Sequence, residues 1–248
     1  ISVLYSTFIF AFFWRAIGFD ISKLNTLDYF SIQHFFTRQG EVFIQKGEDA
    51  QSKISSPVEA LVQSSFKMDT FSLVQAKGVY YSLSQLVPCD SHSIFKDAYA
   101  MTLYLSPCDC HRIYMPFSGV LTQLHYVPGA LRPVRSPWTD HFSSLYAQNE
   151  RVIAIFENAY FHVCMVMVAA LNVGHIRLDG LDLTSDMLSN QSSRFFDKQN
   201  SFNQGQHFAT FLLGSTVILI VKEKASSPSV LVSDNDKVTL GQPLISLV

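Results

Sequence analysis

The stretch Phe208-Ala209-Thr210-Phe211-Leu212-Leu213-Gly214-Ser215-Thr216-Val217-Ile218-Leu219-Ile220-Val221 is apolar along most of its length and carries no charge until Lys222. That texture suits a central strand buried on both faces, and residues 161–173 read the same way. Outward from these runs, from about Lys53 onward, lie shorter apolar or alternating segments at 60–62, 79–83, 102–105, 120–127 and 152–156, bounded by Pro, Gly, Ser and Asp. They are strand signals. Residues 180–206 are polar and rich in Ser, Asn, Gln and Asp, and read as a long surface connection of the kind that often forms a lid.

The composition agrees with one main core plus appendages. Of 248 residues, 48% are hydrophobic and 13% aromatic, while only 15% are charged, which excludes wholesale disorder. A net charge of -2 leaves no polycationic surface for a nucleic-acid track, so nucleic acid is excluded as a partner class. Four cysteines are too few for a disulfide scaffold in a chain of this length. Cys108-Asp109-Cys110-His111 has a ligand-like composition, but no second knuckle accompanies it and no metal is expected. The chain opens on Ile1, which reads as a start inside a longer frame.

Residues 1–14 are uncharged and apolar almost all round, and Arg15 and Asp20 interrupt them before a bilayer-spanning length is reached. The segment reads as a helix resting in the lipid interface, or else as a buried helix or a dimer contact. Tyr29, Phe30, Phe35 and Phe36 form a second aromatic cluster at helical spacing, which alone would read as core packing. The expected class is therefore α+β, with N-terminal membrane-associating helices in residues 1–50 and a mainly antiparallel β barrel or sandwich in 51–248. A weak echo between Ser56-Pro57, Met115-Pro116 and the tail 238–244 is similar to small carrier-type sandwiches of lipoyl and biotinyl proteins, without their lysine motif.

The Gly214-Ser215 pair inside an apolar run needs explaining. On its own it reads as a bulge, with Ser and Thr bonding back to the backbone. Together with Tyr104-Leu105-Ser106-Pro107-Cys108-Asp109-Cys110-His111-Arg112-Ile113-Tyr114-Met115-Pro116, however, Leu213-Gly214-Ser215-Thr216 resembles the phosphatidylserine decarboxylase proenzymes. Supporting stretches are Gln75-Ala76-Lys77-Gly78, Tyr126-Val127-Pro128-Gly129, Asn149-Glu150-Arg151-Val152 and Asn172-Val173-Gly174-His175-Ile176, and the likeness runs from Phe35-Phe36-Thr37-Arg38 to Gly241-Gln242-Pro243-Leu244.

The resemblance implies that Ser215 Oγ attacks the carbonyl of Gly214 and that the resulting ester breaks by elimination. Residue 215 then becomes a pyruvoyl group heading a fragment 215–248 that stays bound to fragment 1–214. It also implies a lyase that captures the amine of phosphatidylserine on this self-made group and releases carbon dioxide and phosphatidylethanolamine. His111 matches the family histidine associated with decarboxylation, and an imidazole of pKa near 6.5 suits that proton transfer.

Two positions depart from the family pattern. Tyr114 stands where the family has the histidine base for self-cleavage, and Glu59 stands where it has an aspartate. A tyrosine is protonated at neutral pH and is a poor proton acceptor. Either another group, such as His125, His207, Asp109 or Glu59 itself, takes the Ser215 proton, or the chain is a non-processing homologue that serves as a lipid-binding or partner subunit. A two-chain lipid substrate further implies peripheral attachment to a membrane, with a bacterial cytoplasmic (inner) membrane first and a mitochondrial inner membrane second. A homodimer stays open. A soluble carrier-type sandwich is the third class, and it would bind no lipid.

Overall fold

The computed structural model describes residues 32–42, 51–76, 79–134, 138–170, 176–188, 193–195, 200–211, 215–224 and 228–247. Among them, nine strands form one sheet. Its order is Ser193–Phe195, Gly119–Val127, Arg151–Glu157, Phe161–Ala169, Ser215–Glu223, Tyr99–Leu105, Ala60–Lys67 and Lys237–Val238, with Ser201–Phe202 also pairing on Gly119–Val127. Every pairing in it is antiparallel. A four-stranded sheet runs Leu183–Thr184, Ile176–Leu178, His207–Phe211, Arg112–Tyr114, and a three-stranded one runs Lys53–Ser55, Pro243–Leu247, Pro228–Val230. A hairpin of Ser72–Ala76 with Val79–Ser82 completes the strands described.

Alternation along the central strands sends successive side chains to opposite faces. Val217, Leu219 and Val221 join Leu103, Leu105, Met165 and Met167 in one buried cluster, which also takes in Ile113, Ile176, Ala209 and Phe211 from the four-stranded sheet. Ile218 and Ile220 join Val166, Val168 and Ile153 in a second cluster on the other face, closed by Leu73, Leu83, Leu86, Phe95 and Tyr146. Burial on both faces explains why these strands read as continuous apolar runs although they are antiparallel. Two sheets share a core, as a sandwich requires. The barrel alternative is corrected: the end strands Ser193–Phe195 and Lys237–Val238 do not pair with one another among the described residues. Each face of the large sheet already has its own cover, so the sheet has no core to enclose by closing on itself.

Three further expectations change. The run 208–221 is not one strand but two, His207–Phe211 in the small sheet and Ser215–Glu223 in the large one. Residues 212–214 between them, which include Gly214, lie outside the described residues. The polar segment 180–206 is more than a surface connection, since Leu183–Thr184, Ser193–Phe195 and Ser201–Phe202 supply edge strands to the sheets. Expectations for residues 1–31 and 43–50 fall outside the described residues. The helix Ile32–Phe36 is described, and Phe35 and Phe36 in it are buried. No helix among the described residues is long and apolar enough to cross a membrane.

Candidate active site

Ser215 begins the central strand, in register with Leu105 on one side and Ala169 on the other. Its side chain shares a face with Val217 and Leu219, turned toward the core between the two sheets. It is 0% exposed, and among the described residues its Oγ has no hydrogen-bond partner. A buried hydroxyl left unpaired costs about 1–3 kcal/mol, so its presence calls for a reason other than stability.

His111 stands at the other end of the same local circuit. Its carbonyl accepts the Phe211 N–H at 3.0 Å, while Ser215 pairs with Leu105. Residues 105–111 and 211–215 thus leave one paired point and meet at another. Four residue steps separate Phe211 from Ser215, a span of at most about 14 Å. The His111 ring is fully buried, with Phe36 edge-on at 4.6 Å. Nδ1 lies 2.8 Å from the Asp109 carbonyl oxygen, which can only accept, so Nδ1 carries the proton and Nε2 presents a lone pair. That Nε2 is buried without a partner among the described residues. Burial, with Arg38 nearby, lowers the His111 pKa to about 4 despite the opposing bond to Asp109. In this form the ring is a neutral acceptor rather than the near-neutral acid expected from its ordinary pKa.

Glu59 and Tyr114 are neighbours through the backbone, because Tyr114 N–H donates to Pro57 O at 2.9 Å. Their side chains share no hydrogen bond. Glu59 Oε2 accepts the Cys110 N–H at 2.9 Å and pairs with Arg38 at 3.7 Å. The Tyr114 hydroxyl accepts the Gly40 N–H at 3.3 Å. Burial raises the Tyr114 pKa further, which weakens it as a base. Neither side chain bonds to Ser215.

The remaining proton acceptors separate by position. His125 lies on the Gly119–Val127 strand, three strands from Ser215–Glu223, or about 14 Å across the sheet, too far for direct transfer. The Asp109 carboxylate accepts the Ser106 N–H at 2.7 Å and closes the turn, while its carbonyl oxygen orients the His111 ring. His207 pairs in register with Tyr114, ring centroids 5.4 Å apart. Its Nε2 lies 3.2 Å from Asp179 Oδ2 and 3.0 Å from Thr210 Oγ1. Burial lowers its pKa, leaving it neutral at pH 7.

Arg38 is the participant that sequence reasoning left without a role. Its guanidinium donates to the carbonyls of Phe35, Cys108 and Asp109, and its own carbonyl accepts from Cys110 Sγ at 3.2 Å. It pins the 106–110 turn from some seventy positions away. A lone arginine after an aromatic pair carries no local signal of that. Among the described residues, no group of three His, Cys, Asp or Glu side chains could hold a metal ion.

The profile of the family described as phosphatidylserine decarboxylase matches residues 32–246. The chain belongs to that family. It is similar to the phosphatidylserine decarboxylase proenzyme of Legionella pneumophila, 35% identical over 204 residues that cover 79% of this chain and 71% of the relative. The proenzyme of Psychrobacter cryohalolentis is 31% identical over 210 residues, 84% and 74% of the two chains. That of Vibrio cholerae is 31% identical over 220 residues, 86% and 75%. The phosphatidylserine decarboxylase family match takes in both sheets, together with Ser215, His111, Glu59 and Tyr114.

Proposed function

We propose that this chain is a phosphatidylserine decarboxylase proenzyme that cuts itself between Gly214 and Ser215 and then converts phosphatidylserine to phosphatidylethanolamine and carbon dioxide. The observation that carries the reading is the Ser215 hydroxyl, fully buried and, among the described residues, unpartnered at the first residue of the central strand. The family match and the bacterial proenzymes that resemble the chain support it.

The residues fit a self-derived pyruvoyl group at position 215. Among the described residues the precursor hydroxyl has no structural partner to lose, and His111 Nε2 is likewise unengaged. Once formed, such a group supplies a carbonyl that captures the substrate amine and accepts the electron pair left as carbon dioxide departs. The chain does the rest. His111, its tautomer fixed by the Asp109 carbonyl, takes up or returns a proton at Nε2. Phe36 covers the ring and keeps water from it. Arg38 and Glu59 hold the turn that places His111.

For self-cleavage, the Ser215 proton is assigned to His207. Of the four alternatives to Tyr114, it alone is an imidazole beside a carboxylate, with Nε2 engaged by Asp179 and Nδ1 free of hydrogen bonds among the described residues. The two fragments stay together, since Ser215–Glu223 is paired along its length with Phe161–Ala169 and along most of it with Tyr99–Leu105. Action at a membrane face, of the bacterial cytoplasmic membrane first, follows from the lipid substrate and from the apolar residues 1–14.

The engaged phenol at 114 favours one rival reading, a homologue that never cuts itself. Intact-mass measurement decides between them. Fragments 1–214 and 215–248, the latter with a carbonyl trapped by hydroxylamine, and turnover of phosphatidylserine vesicles are expected; Ser215→Ala should give one uncut species and no product. A single intact chain after long incubation would exclude the decarboxylase.

A further inference from the structure

The large sheet has two ends, and Ser215 marks one of them. At that end the strands Gly119–Val127 and Arg151–Glu157 are joined by a long connection that includes the short helices Trp138–His141 and Leu145–Gln148. This connection carries large apolar side chains in the open. Trp138 is 40% and Phe142 38% exposed, and their rings stack at 5.4 Å with planes 11° apart, making one continuous aromatic surface. The Arg132 guanidinium lies over the Phe142 ring at 5.2 Å and donates to Gln148 Oε1 at 2.5 Å. Among the described residues no carboxylate neutralises it.

The surface is tied to the site by few bonds. Asn149 is fully buried; its Nδ2 donates to Arg132 O at 2.8 Å and to Ala169 O at 2.9 Å, while its Oδ1 accepts the Arg132 N–H at 3.2 Å. Ala169 is the residue in register with Ser215. The chain at Gly129 approaches so closely that a Cβ there would lie 2.5 Å from Gln148 O, and Ala130 exchanges backbone bonds of 2.9 Å with Gln148 and Glu150. From the aromatic pair to the catalytic serine the path is Arg132, Asn149, Ala169, Ser215.

We propose that this connection is a membrane-docking rim: Trp138 and Phe142 enter the interfacial layer of a phospholipid bilayer, and Arg132 meets anionic headgroups beside them. The inference rests on the proposed decarboxylase reading for its lipid substrate. Stacked aromatic rings flanked by a cation suit the boundary between headgroups and acyl chains, where a ring can be apolar on one side and wet on the other. The Arg132 charge, which no carboxylate among the described residues neutralises, complements a surface rich in phosphatidylserine. Its location puts that surface at the end of the sheet where Ser215 begins its strand.

The test is flotation of the full-length protein with vesicles of phosphatidylcholine, with and without phosphatidylserine. Trp138→Ala/Phe142→Ala should weaken binding to both vesicle types roughly tenfold or more, as expected for losing two large rings from an apolar layer. Arg132→Gln should weaken binding only where phosphatidylserine is present and should reduce its salt dependence. Leu231→Ala, at an exposed residue just after the strand Pro228–Val230, should change neither. A direct measurement avoids any folding defect in the variants: in protein carrying Trp14→Phe, brominated lipid should quench Trp138. Unquenched Trp138, or unchanged flotation of the double variant, overturns the proposal. So does a double variant that binds lipid normally but changes from dimer to monomer, which would assign the rim to a second copy of the chain. Flotation needs no turnover, so a parent protein that binds through the rim yet yields no phosphatidylethanolamine would defeat the decarboxylase reading and leave the docking rim standing.

Discussion

The phenol of Tyr114 accepts a backbone bond from Gly40 and lies beside His207, so the position offers a held hydroxyl where an acceptor is wanted. Tyr114→His should raise the rate of self-cleavage, and His207→Ala should lower it, both read from band intensities on a denaturing gel over time. An unchanged rate in His207→Ala would remove it as the acceptor. His111 has a different signature. Its imidazole titrates near 6.5 in the unfolded chain and at about 4 when folded. Between those values the unfolded state binds the proton and the folded state does not, so stability is full above about pH 6.5 and falls as the pH drops toward 4. The loss is at most about 3 kcal/mol, and it should be largely absent in His111→Phe, as denaturant midpoints measured from pH 7 to pH 4 would reveal.

Among the elements, the connection preceding Arg151–Glu157 depends on Asn149 more than on its own short helices. One buried side-chain amide satisfies backbone groups on two other segments. Asn149→Ala leaves those groups unpaired and should destabilise the fold by about 2–3 kcal/mol, seen as a lower denaturant midpoint with an unchanged slope. Strands such as Phe161–Ala169 were legible because burial on both faces leaves an apolar run that no surface helix tolerates. The division of 208–221 was not legible. Both halves are equally apolar, and only the choice of sheet separates Phe211 from Ser215. Glu59 and Tyr114 were identifiable as positions, but their partners, Arg38, Cys110 and Gly40, depend on contacts between distant segments. Likewise the lowered pKa of His111 follows from full burial and from the distant Arg38, which local sequence does not encode.

At the scale of the molecule, the segments before and after Ser215 are interleaved rather than docked side by side. The segment after Ser215 contributes the strand between Phe161–Ala169 and Tyr99–Leu105, an edge strand beside Ala60–Lys67, and the middle strand of the three-stranded sheet. Folding of the uncut chain is a one-molecule event, whereas reassembly after cutting would require two molecules to meet and one to thread a strand into an occupied sheet. The order of events is therefore built into the architecture: shape first, scission second, with no easy return. On the proposed reading, a molecule cut before Ser215 that once comes apart would be lost as a catalyst, so its working lifetime would be set by how slowly the central strand peels out and not by any equilibrium between its halves.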